Sequence, residues 1–230
     1  MPRPDDLRHL RALTFDFDGT LATGRYDFAR MRAEVVCLVE EFGLRREELP
    51  AGGVLELVAA AAAALPPARA EDFRERAEAA IRGVEIEGAR GGRLLPGAAE
   101  ALERLRAAGY RIGVITRNCR AVVDVILDGR ALPRDVLLTR EDVTHVKPHP
   151  EQILTALRAM GAAPAEAAMV GDHPMDMEAA HRADALPIGV LSGHATEQAL
   201  RDAGAAFIYA DVVALAHDLL HEDSPCPTST

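Results

Sequence analysis

The sequence predicts an α/β fold, a Rossmann-like doubly wound parallel sheet with an inserted all-helical cap subdomain. Three observations lead there. Over residues 93–220 short apolar runs alternate with segments of helical period, the pattern of parallel strands joined by right-handed helical crossovers. One more apolar run, at 12–17, stands far upstream of that series. Between them, residues 27–90 carry helical spacing with nothing strand-like except Val84-Glu85-Ile86. The expected division is a core of residues 1–22 and 94–221, a helical cap of 23–93, and a disordered tail at 222–230, where Ser, Pro and Thr accumulate.

Residues 1–10 read as a polar lead-in and 12–17 as the first strand, followed by a loop at 20–26 in which Gly24 allows a turn. Phe28, Met31, Val35, Leu38, Val39 and Phe42 recur at spacings of three and four, one face of an amphipathic helix that Gly43 can end. A second helix, or a pair broken at Gly52-Gly53, occupies 47–64 and stops at Pro66-Pro67. A third runs over 68–82, and glycine-rich 88–92 reads as a flexible connector. Helix 98–108 is closed by Gly109, and 110–116 is a buried strand ending on a hydroxyl. Helix 119–127, strand 136–139, helix 150–160, strand 167–170, helix 175–183, strand 187–191, helix 196–203, strand 206–209 and helix 212–220 complete the alternation. The helical block interrupts the series directly after the first strand. It is therefore expected to act as a lid at the carboxyl edge of the sheet, excluding water and contacting substrate.

A length of 230 residues suits one large α/β domain or a domain with a smaller insert. The formal net charge of -10 argues against a nucleic acid polymer or an anionic membrane as partner, while leaving room for a small anionic substrate. Cys37, Cys119 and Cys226 are too dispersed for a zinc site or a disulfide scaffold. Residues 1–10 lack an apolar signal segment, and the apolar run at 54–65 is too short to span a bilayer, so a cytoplasmic protein is expected. A monomer is preferred over a homodimer. Lysine occurs once, at Lys147, in a chain that otherwise uses arginine, which suggests a place where a compact ammonium is needed.

Several polar groups fall at or just beyond the carboxyl ends of predicted strands: Asp16 with Asp18, Thr116, Lys147, and Asp172 with Asp176. In an open α/β sheet these ends face one crevice. Asp16 and Asp18, close together and ionised, repel each other and ask for a positive partner, for which a divalent cation is economical. Mg2+ accepts such oxygen ligands and keeps some of its waters. Lys147 and the Thr116 hydroxyl offer donors to an oxyanion, and cation, lysine and hydroxyl together match a phosphate. Asp16 can then act as nucleophile, and Asp18 can pass protons to the leaving group and from water. His145 and His149 flank Lys147, but loop histidines near a crevice are often bystanders. Gly189, Gly193 and Gly204 read as turn or packing glycines.

The order of these residues resembles the haloacid dehalogenase-like hydrolase superfamily, in the helical-cap branch similar to phosphoglycolate phosphatases. The four motifs stand here as Asp16-Phe17-Asp18-Gly19-Thr20, Ile115-Thr116-Arg117-Asn118, Lys147-Pro148-His149-Pro150, and Gly171-Asp172-His173-Pro174-Met175-Asp176. The resemblance implies a Mg2+-dependent phosphatase of a small phosphorylated metabolite, working through an aspartyl-phosphate, with a phosphoglycolate-like acid as one candidate substrate and a nucleotide or sugar phosphate left open. Asp16 would be nucleophile and metal ligand, and Asp18 general acid/base touching the metal through its backbone carbonyl. Asp172 would be a further metal ligand, with Asp176 behind it. Thr116 and Lys147, with Arg117 and Asn118, would bind the phosphoryl group. Asp18 disfavours dehalogenation, and the absence of lysine from the cap disfavours Schiff-base phosphonate chemistry. A phosphomutase of the same fold, or a binding or regulatory protein that retains it without turnover, is the alternative. Cap arginines, among them Arg25, Arg30, Arg32, Arg45, Arg46, Arg69, Arg74, Arg76 and Arg82, are available for a substrate carboxylate.

Overall fold

The computed structural model describes residues 7–221; the expected tail at 222–230 lies outside them. The strands are β1 (Ala12–Asp16), β2 (Ala22–Thr23), β3 (Arg93–Leu94), β4 (Arg111–Ile115), β5 (Val136–Leu138), β6 (Ala167–Gly171), β7 (Leu186–Val190) and β8 (Phe207–Tyr209). The α-helices are α1 (Phe28–Glu41), α2 (Val54–Ala64), α3 (Pro67–Ala89), α4 (Ala98–Ala107), α5 (Arg120–Leu127), α6 (Glu151–Met160), α7 (Pro174–Arg182), α8 (Glu197–Asp202) and α9 (Val212–His221).

Six strands form one sheet in the order β5-β4-β1-β6-β7-β8, with every neighbouring pair parallel. The fully buried β1, Ala-Leu-Thr-Phe-Asp, has apolar cover on both faces, as a central parallel strand must. On one face Ala12, Ile115, Ala167 and Met169 pack with Ile153, Ala156, Leu157 and Met160 of α6 and Ala179, Ala180 and Ala183 of α7. Small alanines let α7 lie close to the strands. Alternation sends Leu13 and Phe15, both fully buried, to the opposite face. Leu7 and Leu10 are buried too, so the segment expected to be a polar lead-in is anchored by its leucines.

The chain divides into two compact units, one of the described residues up to Gly24 and from Arg93, the other Arg25–Gly92. The second unit is a helical subdomain. Met31, Val35 and Val39 of α1, Leu57 and Ala61 of α2, and Phe73, Ala77, Ile81 and Val84 of α3 form its core. Phe42 meets Phe73 edge-on, with centroids 5.3 Å apart.

Two local expectations change, and for 47–64 the alternative broken at Gly52-Gly53 is the one observed. The third helix does not stop near residue 82 but continues to Ala89, because Phe73, Ala77, Ile81 and Val84 extend one apolar stripe past that point. Val84-Glu85-Ile86 is thus helical, and Gly88 belongs to a helix rather than to a connector. A Cβ at Gly88 would lie 2.6 Å from the Arg25 carbonyl, so the glycine allows close backbone approach there. The loop at 20–26 contains β2, which pairs antiparallel with β3 within the sheet-bearing unit. The second helix begins only at Val54, after a single 3-10 turn at Arg46–Glu48.

Asp135 ties the start of β4 to the chain leading into β5. Its carboxylate accepts from the Ile112 amide at 2.7 Å and from Arg106 at 3.2 Å. Burial alone would raise its pKa, but the Ile112 amide and the arginines outweigh that and hold it below the ordinary value. Its stabilising contribution is therefore present in full above the unfolded value of about 4 and is lost as pH falls through the lower folded value. Urea unfolding should show wild type more stable than Asp135→Asn at neutral pH, with the gap closing below about pH 4. A gap independent of pH would sink the assignment.

Candidate active site

Asp16 ends β1, the strand flanked by β4 and β6, so the loops after three adjacent strands meet at its carboxylate. The register sets Asp16 opposite Ile115 and Phe15 opposite Val170. Thr116 follows one neighbouring strand directly, and Asp172 the other. Lys147 comes from the loop before α6 and is buried with 1% of its surface exposed. Its Nζ donates to Asp16 Oδ1 at 2.5 Å and to Asp176 Oδ1 at 2.7 Å. Asp176, in the first turn of α7, also accepts the His173 amide at 3.0 Å, so the helix start holds it. Asp172 accepts from the Thr20 hydroxyl at 3.2 Å and from the His194 amide at 3.3 Å.

Asp18 is half-buried. Its Oδ2 accepts from the Thr116 hydroxyl at 3.1 Å and from Asn118 Nδ2 at 2.7 Å, and the Asn118 amide donates to Thr116 Oγ1 at 3.0 Å. Thr116 and Asn118 thus converge on the second carboxylate of the pair. The Arg117 guanidinium reaches Met175 Sδ at 3.2 Å. The catalytic, metal-binding and phosphate-binding candidates read from the sequence all lie in the sheet-bearing unit, and the candidate arginines for a substrate carboxylate in the helical one. The contacts gather them into two groups: Asp16, Lys147 and Asp176, with Asp172 beside them, and Asp18, Thr116 and Asn118.

The charge balance is uneven. Asp16, Asp172 and Asp176 bring ligand atoms within 4.8 Å of one another, and one ammonium faces them. Burial pushes the Asp16 carboxyl well above its ordinary pKa; Lys147 opposes this, while Asp176, Asp172 and Asp18 add to it. Burial and then Asp176 also raise Asp172. Burial would lower Lys147, but Asp16 and Asp176 hold its pKa above the usual range. Buried carboxylates in excess over cations are the condition a bound metal relieves, and an all-oxygen donor set suits a hard divalent ion.

Two features were not singled out from the sequence as parts of the site, Gln152 and the loop after β7, whereas Gly19 and Gly171 are expected from it to permit close backbone approach. Gln152, fully buried on α6, accepts from the Lys147 amide at 3.3 Å and donates to the Thr116 carbonyl at 2.8 Å, linking the lysine loop to the end of β4. A polar residue in register with Ala156 and Met160, four and eight positions on, was the available signal. The loop after β7 also enters the site: Ser192 donates to the Gly19 carbonyl at 2.8 Å, and a Cβ at Gly193 would sit 1.8 Å from Asp172 Oδ2. Gly193 is therefore a glycine of the acidic site as well as of a turn. Gly19, at φ +86°, and Gly171 play the same part. A Cβ at Gly19 would lie 2.5 Å from Asp172 Oδ2, and one at Gly171 would lie 2.2 Å from Asp176 Oδ2.

The haloacid dehalogenase-like hydrolase family model matches residues 10–184. A segment of 80 residues is 42% identical to pyrophosphatase PpaX of Bacillus cereus (strain AH820), covering 34% of this chain and 37% of that protein. The match thus spans little more than a third of the relative. A predicted phosphoglycolate phosphatase from Haemophilus somnus 129pt superposes with a TM-score of 0.60 at 21% identity, over 91% of this chain and 97% of that one. CbbY from Rhodobacter sphaeroides, solved in complex with phosphate, gives 0.59 at 23% identity, over 90% and 96%. Both structural likenesses are of fold. Among the described residues no helix is long and apolar enough to cross a membrane.

Gly193→Ala should force the Asp172 carboxylate aside and weaken divalent-cation binding tenfold or more, the scale seen when residues behind metal ligands are disturbed. Magnesium titration followed by calorimetry reads this directly. Wild-type affinity in the variant would show that the position of Asp172 does not govern the cation.

Proposed function

Because the chain belongs to the haloacid dehalogenase-like hydrolase family, we propose that it is a magnesium-dependent phosphatase acting on a small phosphorylated metabolite through an aspartyl-phosphate. The observation that carries this reading is the buried Asp16 at the central strand end, bound to Lys147 and set among Asp172 and Asp176. Asp16, Asp172 and the Asp18 backbone carbonyl would hold magnesium, with Asp176 behind them. When bound, the ion would act as a Lewis acid and neutralise charge on the transferring group.

Asp16 attacks phosphorus, and the bond from phosphorus to the leaving oxygen breaks. Asp18 gives its proton to that oxygen, then takes one from water as the water attacks the aspartyl-phosphate and frees Asp16 and inorganic phosphate. Lys147 holds Asp16 in place and stabilises its ionised form against burial. Thr116 and Asn118 already donate to a carboxyl oxygen, that of Asp18. A phosphoryl group would take over these donors and release the Asp18 carboxyl, carrying its proton, toward the leaving group. Arg117 lies on the same loop and would add positive charge near the phosphoryl group.

The substrate reading is a small phosphomonoester, phosphoglycolate-like. The 42% identity to a pyrophosphatase over 80 residues favours inorganic pyrophosphate as a second reading, with an anhydride in place of the ester. Turnover of an aryl phosphate with and without magnesium, followed by a panel of phosphometabolites and pyrophosphate, separates them. Asp16→Asn is expected to lower kcat by at least about a thousandfold, and Asp18→Asn by about 10²–10⁴. Absence of metal-dependent turnover on every ester and anhydride would refute the enzymatic reading.

Specificity would come from the helical subdomain. Eight of its nine candidate arginines are engaged inside that unit: Arg30, Arg45, Arg74, Arg76 and Arg82 with carboxylates, and Arg32, Arg46 and Arg69 with backbone carbonyls. Arg25 is exposed and lines a cavity of about 290 Å³ with Asp27, Arg30 and Glu87. Arg25→Ala should raise KM for carboxylate-bearing phosphoesters about tenfold while leaving aryl phosphate turnover unchanged, since only the former offers a group to a guanidinium. Equal effects on both substrates would remove Arg25 from substrate choice.

A further inference from the structure

Outside the acidic site, the described residues contain one other set of metal-competent side chains, His145, His149 and Glu151, each offering a ligand atom within 4.8 Å of the others. The cluster flanks Lys147-Pro148 on its solvent side. The His145 and His149 rings lie 4.5 Å apart at 34°, both exposed. Glu151 opens α6 with its carboxylate already fixed: Oε1 accepts the Thr144 amide at 3.0 Å, and Oε2 accepts the His145 amide and meets His145 Nδ1, both at 2.9 Å. His149 Nδ1 is turned toward the same helix start, accepting the Glu151 amide at 3.2 Å. The Thr144 amide first, and His145 after it, keep the Glu151 carboxyl below its ordinary pKa, so the acid is ionised.

We propose that His145, His149 and Glu151 form a second, surface metal site that takes a borderline divalent ion such as Zn2+. Two imidazoles and a carboxylate suit zinc, whereas the all-carboxylate set around Asp16 suits a harder ion. Zinc–nitrogen and zinc–oxygen bonds of about 2.0–2.1 Å in a tetrahedron place neighbouring donors about 3.3 Å apart. The Nδ1 to Oε2 separation of 2.9 Å is already near that. The ion takes the place of the proton between Nδ1 and Oε2, His145 binding as the neutral tautomer with its proton on Nε2, and His149 exchanges its hydrogen bond from the Glu151 amide for the metal. Water completes the fourth position, and no oxidation state changes. Occupied, the site would clasp the two residues that bracket Lys147 and Pro148 to the first turn of α6.

The test uses the full-length, untagged chain with magnesium in excess, and follows zinc binding by calorimetry and by metal content after dialysis. Zinc should bind with Asp16→Asn behaving as wild type, and His145→Ala or His149→Ala should each weaken binding tenfold or more. His149→Gln provides a check on folding, and both histidines being exposed, far-UV circular dichroism should be unchanged in all three variants. No zinc binding, binding unaffected by the histidine substitutions, or binding lost in Asp16→Asn would each overturn the proposal. This outcome is separate from the phosphatase reading, which depends on turnover alone.

Discussion

The site depends on how one ammonium is shared among buried carboxylates. Lys147 contacts Asp16 and Asp176 while nearly all its surface is covered. A buried pair of this kind adds little net stability, because desolvation offsets the attraction, but removing one partner leaves a charge stranded at a cost of about 3–5 kcal/mol. The arrangement is therefore better understood as enforcing geometry than as supplying stability. Gln152 extends the constraint, because it binds the backbone of both Lys147 and Thr116. Through that one amide the lysine loop and the end of β4 are held at fixed separation.

Backbone crowding supplies the rest of the geometry. Gly19, Gly171 and Gly193 each occupy a place where a Cβ would collide with the Asp172 or Asp176 carboxylate. Besides Thr20 and Lys147, the acids pack closely against main chain, so the amides of His173 and His194 can reach them. The sheet order explains why these pieces converge. β1 lies inside the sheet between strands whose connections leave in opposite directions, which opens a crevice at their carboxyl ends.

Much of this was legible in the sequence, for reasons that differ between residues. Strands 12–16, 111–115 and 167–171 are apolar runs bounded by chemistry-bearing residues, and both features survive in a linear reading. Lys147 announced itself by being the lone lysine, and its burial gives that singularity a physical reason: a compact ammonium fits between two carboxylates where a guanidinium would not. Gln152 and Gly193 were not found because their meaning lies in distant partners. An amide on an apolar helix face and a glycine after a strand each have commonplace local explanations. The end of α3 was misplaced because Gly83 and Gly88 look like helix breaks, yet the apolar stripe through Ile81 and Val84 outweighs the roughly 1 kcal/mol that each glycine costs.

The helical subdomain follows a different logic from the sheet. Its arginines mostly neutralise acids exposed on its own surface, as Arg76 does with Glu41 and Arg30 with Glu34 and Glu87. Exposed pairs of this sort contribute at most about 1 kcal/mol each, so they are not what holds the unit together; the Phe42–Phe73 core is. Their effect is to remove positive charge from general availability. An anion meeting this surface finds most guanidinium groups already committed to carboxylates or backbone carbonyls of the same unit. Donors are occupied in the sheet-bearing unit too, where Thr116 and Asn118 are committed to Asp18. An incoming anion has to compete with a carboxylate for those donors, and a phosphoryl group, with three oxygens and a higher charge, competes better than a carboxylate or a neutral ligand. Under the phosphatase reading proposed above, a site kept filled by its own acid would favour phosphate before any contact specific to the rest of the substrate is made.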